Sequence, residues 1–105
     1  MSEDLVEKMR ELLNTMRDWE RKPVVKSGKI IVELVKLPER RGKTRSRPQH
    51  LALMIRREDA FRGLLIVSPE ELDDLRRALN VEKLDDIIKA LWSIYKERSV
   101  EEYEL

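Results

Sequence analysis

The spacing of apolar side chains changes twice along this chain. In residues 3–20, Leu5, Met9, Leu12, Met16 and Trp19 recur at 4-3-4-3 intervals, which keeps them on one stripe of an α-helix. Val6 and Leu13 widen the stripe. In residues 24–67 the apolar runs are short, rich in Val, Ile and Leu, and alternate with period two, as strands do. From Leu72 the helical spacing returns. A block of strands between helices predicts an α+β fold rather than a parallel α/β sheet. It has an N-terminal helix, an antiparallel sheet of three to four strands and two C-terminal helices. The 105 residues fit one domain with a modest core.

Local signals set the expected boundaries. Ser2 is placed to cap the first helix, Glu3 and Asp4 favour its first turn, and Pro23 stops it. Strands are expected over 24–26, 30–37, 50–56 and 61–67. A turn at Ser27-Gly28, a loop from Pro38 to Pro48 and a hairpin turn at Arg57–Ala60 separate them. In the second strand Ile30, Val32 and Leu34 share a face. Glu33 and Lys36 fall on opposite faces, so that strand is central or covered on both sides. Ser68-Pro69-Glu70-Glu71 is a capping box with proline at the first helical position. Leu72, Leu75 and Leu79 line that helix, and Asn80 ends it. The last helix is expected from Val81 or Glu82 to Arg98, followed by a frayed acidic tail, 99–105. Its apolar set (Val81, Leu84, Ile87, Ile88, Leu91, Trp92, Ile94 and Tyr95) is wider than one packing stripe needs. One side can face the sheet. The other must meet another helix of the chain or a second subunit.

Charge is distributed just as unevenly. The 22 Lys and Arg nearly balance 21 Asp and Glu, for a net charge of +1. Residues 1–20 carry −3, residues 21–62 carry +9 and residues 63–105 carry −5. A basic centre between acidic ends points to a polyanionic partner. Abundant Lys, Glu and Arg with two Asn, one Gln and no Cys is the mixture of hyperthermophile proteins.

The same composition narrows the chemistry. No run of about 18 apolar residues is present to cross a membrane. The acidic start Met1-Ser2-Glu3-Asp4 lacks the features of a secretory signal, so a cytoplasmic setting is expected. Without cysteine there is no thiolate nucleophile and no Cys-ligated metal. One histidine argues against a His-based metal site. Gly42-Lys43-Thr44 resembles the end of a P-loop, but Leu37 stands where the first glycine is required, and Pro48 and a strand follow. The acids at 70–74 and 82–86 form helix i,i+4 pairs such as Asp73–Arg77 and Asp85–Lys89. No Ser–His–Asp or Gly-x-Ser-x-Gly arrangement appears. Neither an enzyme nor a cofactor is expected.

The candidate binding residues are therefore basic and aromatic. Arg40, Arg41, Lys43, Arg45 and Arg47 crowd one loop with a single acid, Glu39, while Thr44 and Ser46 can donate to phosphate oxygens. Lys26, Lys29, Lys36, Arg56, Arg57 and Arg62 flank that loop on strands and turns. Guanidinium groups suit phosphate because they offer bidentate contacts. Phe61, and with it His50 and Trp19, can stack on bases. Each has a plainer alternative: the loop as a solvated segment paired with the acidic helices, Phe61 and Trp19 as core, His50 as a half-exposed strand residue.

At this point the chain resembles the ThermoDBP-related family of archaeal single-stranded DNA-binding proteins. The likeness lies in the layout. A first helix ends in Met16-Arg17-Asp18-Trp19-Glu20. The sheet carries Lys-Ile-Ile-Val-Glu-Leu-Val-Lys (29–36) and His-Leu-Ala-Leu-Met-Ile-Arg-Arg (50–57). Two closing helices open at Ser-Pro-Glu-Glu-Leu (68–72). The resemblance implies a dimer or higher oligomer. It also implies a cleft with an apolar floor and basic rims that takes single-stranded nucleic acid. The expected function is thus sequence-tolerant binding of single-stranded DNA or RNA, with self-association through the C-terminal or N-terminal helix. The competing expectations are a protein–protein adaptor whose basic loop docks an acidic partner, and a binder of duplex or structured RNA.

Overall fold

The computed structural model describes residues 3–103, with side chains to residue 98. Ser2, the proposed cap, and the tail residues 104 and 105 lie outside the described residues, as do the side chains of 99–103. The chain divides between Val67 and Ser68 into two compact units. Along the chain, one helix precedes and two follow an antiparallel sheet, giving the expected α+β class. Among the described residues no helix is long and apolar enough to cross a membrane.

In the first unit, helix α1 (Glu3–Thr15) precedes strands β1 (Arg21–Ser27) and β2 (Ile30–Leu37). A small hairpin follows, β3 (Arg40–Arg41) and β4 (Ser46–Arg47), and then β5 (His50–Arg57) and β6 (Leu64–Ile66). The main sheet runs in the order β1-β2-β5-β6, entirely antiparallel. β2 and β5, the two β-branched and Leu-rich runs, occupy the centre, as burial on both faces requires. Gly28, at φ 57°, supplies the left-handed backbone of the β1–β2 turn.

Register assigns the faces. Opposed residues point to the same side of a sheet. Glu33 pairs with Met54, Val35 with Ala52 and Leu37 with His50, so these six share one face. Lys36 pairs with Leu51 and Leu34 with Leu53 on the other. That second face meets α1: Leu5, Val6 and Met9 stand against Val24, Leu34 and Leu53 around an apolar gap of about 400 Å³. Met16, buried just past the helix end, closes this layer. The Nζ of Lys36 donates to the Met16 carbonyl at 2.9 Å. It thereby satisfies one of the carbonyls a helix end leaves open.

Several boundaries differ from the sequence expectation: β1 is longer than residues 24–26, and the segment from Pro38 to Pro48, expected as a loop, holds the β3–β4 hairpin. The first helix stops at Thr15, not at residue 20, because Arg17–Glu20 forms a turn. The Glu20 N–H donates to the Arg17 carbonyl at 3.0 Å, and the Glu20 carboxylate accepts from the Arg17 N–H at 2.9 Å. That acceptance, ahead of the neighbouring Lys22 and Arg17 charges, holds the Glu20 carboxyl below its ordinary 4.5. The last strand is shorter than expected, three residues instead of seven.

The second unit contains α2 (Pro69–Leu79) and α3 (Lys83–Tyr103). Ser68 caps α2 as its sequence dictates: its hydroxyl accepts from the Glu71 N–H, and its own N–H donates to the Glu71 carboxylate. Asn80 ends the helix, donating to the Arg76 carbonyl. α3 continues five residues beyond the expected end at Arg98. Its rings Trp92 and Tyr95 stack at 5.4 Å. Leu84, Ile87, Ile88, Leu91 and Ile94 are exposed.

Candidate nucleic-acid interface

The face of the sheet opposite α1 carries the candidate site. Its floor is apolar because the period-two pattern of the central strands places Val35, Ala52 and Met54 side by side. All three are buried, Val35 at 2% exposure. Leu65, opposite Met54 on β6, continues the floor. Two adjoining hollows of about 630 and 190 Å³ share Trp19, Arg40 and Leu65 and form one trough. It runs from Phe61 and Gly63 toward Pro38, Arg47 and His50. The six-residue span of β5 from Arg56 to His50 sets a length on the order of 20 Å.

Each wall is aromatic and exposed. Trp19 is 55% accessible and Phe61 is 79% accessible. Trp19 reaches the trough through a left-handed backbone, φ 67°. Its N–H donates to the Lys36 carbonyl at 2.7 Å, which ties this corner to the sheet. A non-glycine residue in this region costs roughly 1–2 kcal/mol. Phe61 rides on a segment that Gly63 presses against β5. A Cβ at Gly63 would stand 2.0 Å from the Ile55 carbonyl oxygen. The Arg21 guanidinium lies over the Phe61 ring at 4.7 Å.

The rim is cationic. Arg21, Arg40 and Arg62 line the larger hollow, and Arg40, Arg47 and His50 line the smaller. Among the described residues no Asp or Glu lines either. Arg40 and Arg47 are a cross-strand pair in the β3–β4 hairpin. The His50 Nδ1 lies 2.9 Å from the Pro48 carbonyl oxygen. A carbonyl only accepts, so Nδ1 donates and Nε2 remains for other partners.

The structure thus brings Arg40, Arg47, His50, Phe61 and Arg62 together, with Trp19 between the two hollows. It separates others of the sequence-based set. Lys36 is not a phosphate contact: it is 7% exposed, on the α1 face, with its ammonium on the Met16 carbonyl. Arg56 is also turned inward. Its Nε donates to the carboxylate of Glu33, itself 4% exposed, and its Nη1 donates to the carbonyls of Arg57 and Ala60 at 3.1 Å. That cation organises the turn leading into Phe61, with its Nε and Nη1 committed within the protein. Arg57 lies on the α1 side of the register, paired with Asp59 at 3.0 and 3.2 Å. Its hydrogen bonds hold the Asp59 carboxyl below its ordinary 3.8. Lys26 pairs with Glu58 at 3.4 Å, and Lys29 sits in the β1–β2 turn. Arg41, Lys43 and Arg45 are exposed on the hairpin outside the trough, with Arg41 paired to Glu39.

Two contributors escaped the sequence reading. Arg21 was legible only as a neighbour of Trp19. Glu20, which fixes the Trp19 corner, carried no signal beyond its charge. The floor was legible in principle, since the alternation of β2 and β5 groups Val35 with Ala52 and Met54.

Among the described residues no group of three His, Asp or Glu could hold a metal ion. No family model, characterised protein or solved structure matches the chain.

Proposed function

We propose that this protein binds single-stranded nucleic acid, DNA or RNA, along the trough, without reading its sequence and without catalysis. One observation carries the reading: an apolar floor between two exposed aromatic rings, rimmed by guanidinium groups, with no acid in its lining among the described residues. Bases are apolar on their faces and phosphates are anionic, and the trough complements both. Unpaired bases stack on aromatic rings at about 1–3 kcal/mol each, whichever base is present. A duplex keeps its bases stacked inward and cannot use the floor. The layout of most of the chain, which resembles the ThermoDBP-related family, supports the same reading.

Titration of labelled single-stranded, duplex and stem-loop oligonucleotides at two salt concentrations tests it. Saturable binding to single strands, weakened by salt and by Phe61→Ala, is the expected result. Weak, non-saturating binding to all probes would instead favour an adaptor that docks an acidic protein.

A second component concerns assembly. Leu84, Ile87, Leu91 and Ile94 follow a 3-4-3 spacing and are exposed on α3. Such a seam is what a helix offers to another copy of itself. We infer that α3 joins two copies of the chain in a symmetric dimer, the commonest form of self-association.

A further inference from the structure

The smaller hollow, at the Pro38 and His50 end of the trough, has more positive charge than a passing phosphodiester uses. Arg40 and Arg47 stand directly opposite each other across the β3–β4 hairpin. Both line the hollow beside His50, and no carboxylate pairs with either among the described residues. Like charges directly opposed in a sheet are destabilising. Two strands with only two paired residues each have little else to offset that repulsion. Every acid of residues 21–62 is committed elsewhere: Glu33 to Arg56, Glu39 to Arg41, Glu58 to Lys26 and Asp59 to Arg57. The hairpin therefore presents an unneutralised pair of guanidiniums converging on a hollow of about 190 Å³.

An internal phosphodiester carries one negative charge. A terminal phosphomonoester carries about −1.5 to −2 near neutral pH and three acceptor oxygens. Two guanidiniums match that charge and offer donors enough for that number of acceptors. The Trp19 ring, which lines the same hollow, is placed to stack on the terminal base.

From this we infer that the hollow between Arg40, Arg47 and His50 is a site for the terminal phosphate of a bound strand. The protein thus engages phosphorylated ends in preference to hydroxyl ends. The inference rests on the proposed binding of single strands along the trough.

The test compares three oligonucleotides of one length and sequence, bearing a 5′-phosphate, a 3′-phosphate or hydroxyls at both ends, by anisotropy at fixed ionic strength. One of the two phosphorylated strands is expected to bind the wild-type protein about tenfold more tightly than the hydroxyl-ended strand, the scale of one added charge-assisted hydrogen bond. Which end gains identifies the strand's polarity in the trough. Arg47→Gln should bring the ratio of phosphorylated to hydroxyl-ended affinity toward one. Arg62→Gln, at the other end of the trough, should weaken both strands and keep the ratio. Inorganic phosphate added to wild-type protein, against a chloride control of equal ionic strength, should erase the preference without any substitution. Equal affinities for all three strands in wild-type protein would overturn the end-recognition site and leave the trough intact. Failure of every strand to bind would overturn the reading on which it rests.

Discussion

Trp19 is held in a backbone conformation that glycine would adopt without strain, and it spends that strain presenting an exposed ring to the trough. The two effects separate by substitution. Trp19→Gly should leave thermal stability equal or raised, since about 1–2 kcal/mol of left-handed strain is relieved. It should also reduce affinity for single strands by a stacking contribution of about 1–3 kcal/mol. Trp19→Ala should lose the affinity and gain nothing in stability. Equal melting behaviour with undiminished binding in both variants would remove Trp19 from the site. Arg56 makes the converse case, a residue that sequence places among the phosphate contacts and that packing turns inward. Arg56→Ala strands the buried Glu33 carboxylate and should cost about 3–5 kcal/mol in urea denaturation. Replacing Glu33 and Arg56 together by Leu should cost far less, because no charge is then left buried alone. A double variant as unstable as the single one would contradict that account.

Among elements, the segments that deliver the site are the connections rather than the strands. Gly63 lets the segment after the Arg57–Ala60 turn lie against β5, with no room for a methyl group. Because the obstacle is the Ile55 backbone, Gly63→Ala must push the segment away, at a cost of about 1–3 kcal/mol. Phe61 and Arg62 should move with it. A crystal structure or the Phe61 ring chemical shifts would register the displacement, together with weakened binding. The Arg17–Glu20 turn is sensitive to pH in a defined direction. The Glu20 carboxyl titrates below its ordinary 4.5 when folded, so its contribution to stability is complete above that value. The contribution is lost as pH falls through the folded value. Wild-type stability should therefore fall more steeply than that of Glu20→Gln as pH drops below about 4.5, measured by denaturation across pH 3–7. Parallel profiles would show that the turn does not depend on the ionised carboxylate. This turn also explains why the helical spacing of Met16 and Trp19 misled. Met16 anchors the helix end in the core, and the chain leaves the helix before Trp19 to point that ring at the opposite face of the sheet.

For the whole molecule, the decisive quantity is the charge that remains after pairing. The central block carries thirteen cations and four acids, and each of those acids pairs with a cation outside the trough lining. Among the described residues four guanidiniums line the trough: Arg21, Arg40, Arg47 and Arg62. If each meets one phosphate, log Kobs should fall against log salt with a slope of about −3 for a single strand. Removing any one of the four should flatten it by about 0.7. A slope near −5 would mean that Arg41, Lys43 and Arg45 also bind. Leu91→Glu should shift a dimer to monomer in sedimentation equilibrium, with the oligonucleotide affinity of each trough retained. A dimer unaffected by that change would place the interface elsewhere.

The sequence by itself determined the class and the main elements, though not the β3–β4 hairpin. Helical and alternating periodicities are local properties, and Ser68 with Glu71, Gly28 and the apolar runs of β2 and β5 act within a few residues of themselves. It also announced a basic centre, because summing charge along a chain needs no coordinates. Which cations remain free was decided only by tertiary structure. Glu33 meets Arg56 and Glu58 meets Lys26 because strands distant in sequence are brought into register, while Lys36 is buried because its side of β2 faces α1. The trough has the same origin. Its floor comes from strands β2, β5 and β6, its walls from two separate connections, and its paired guanidiniums from a hairpin whose register no local signal specifies.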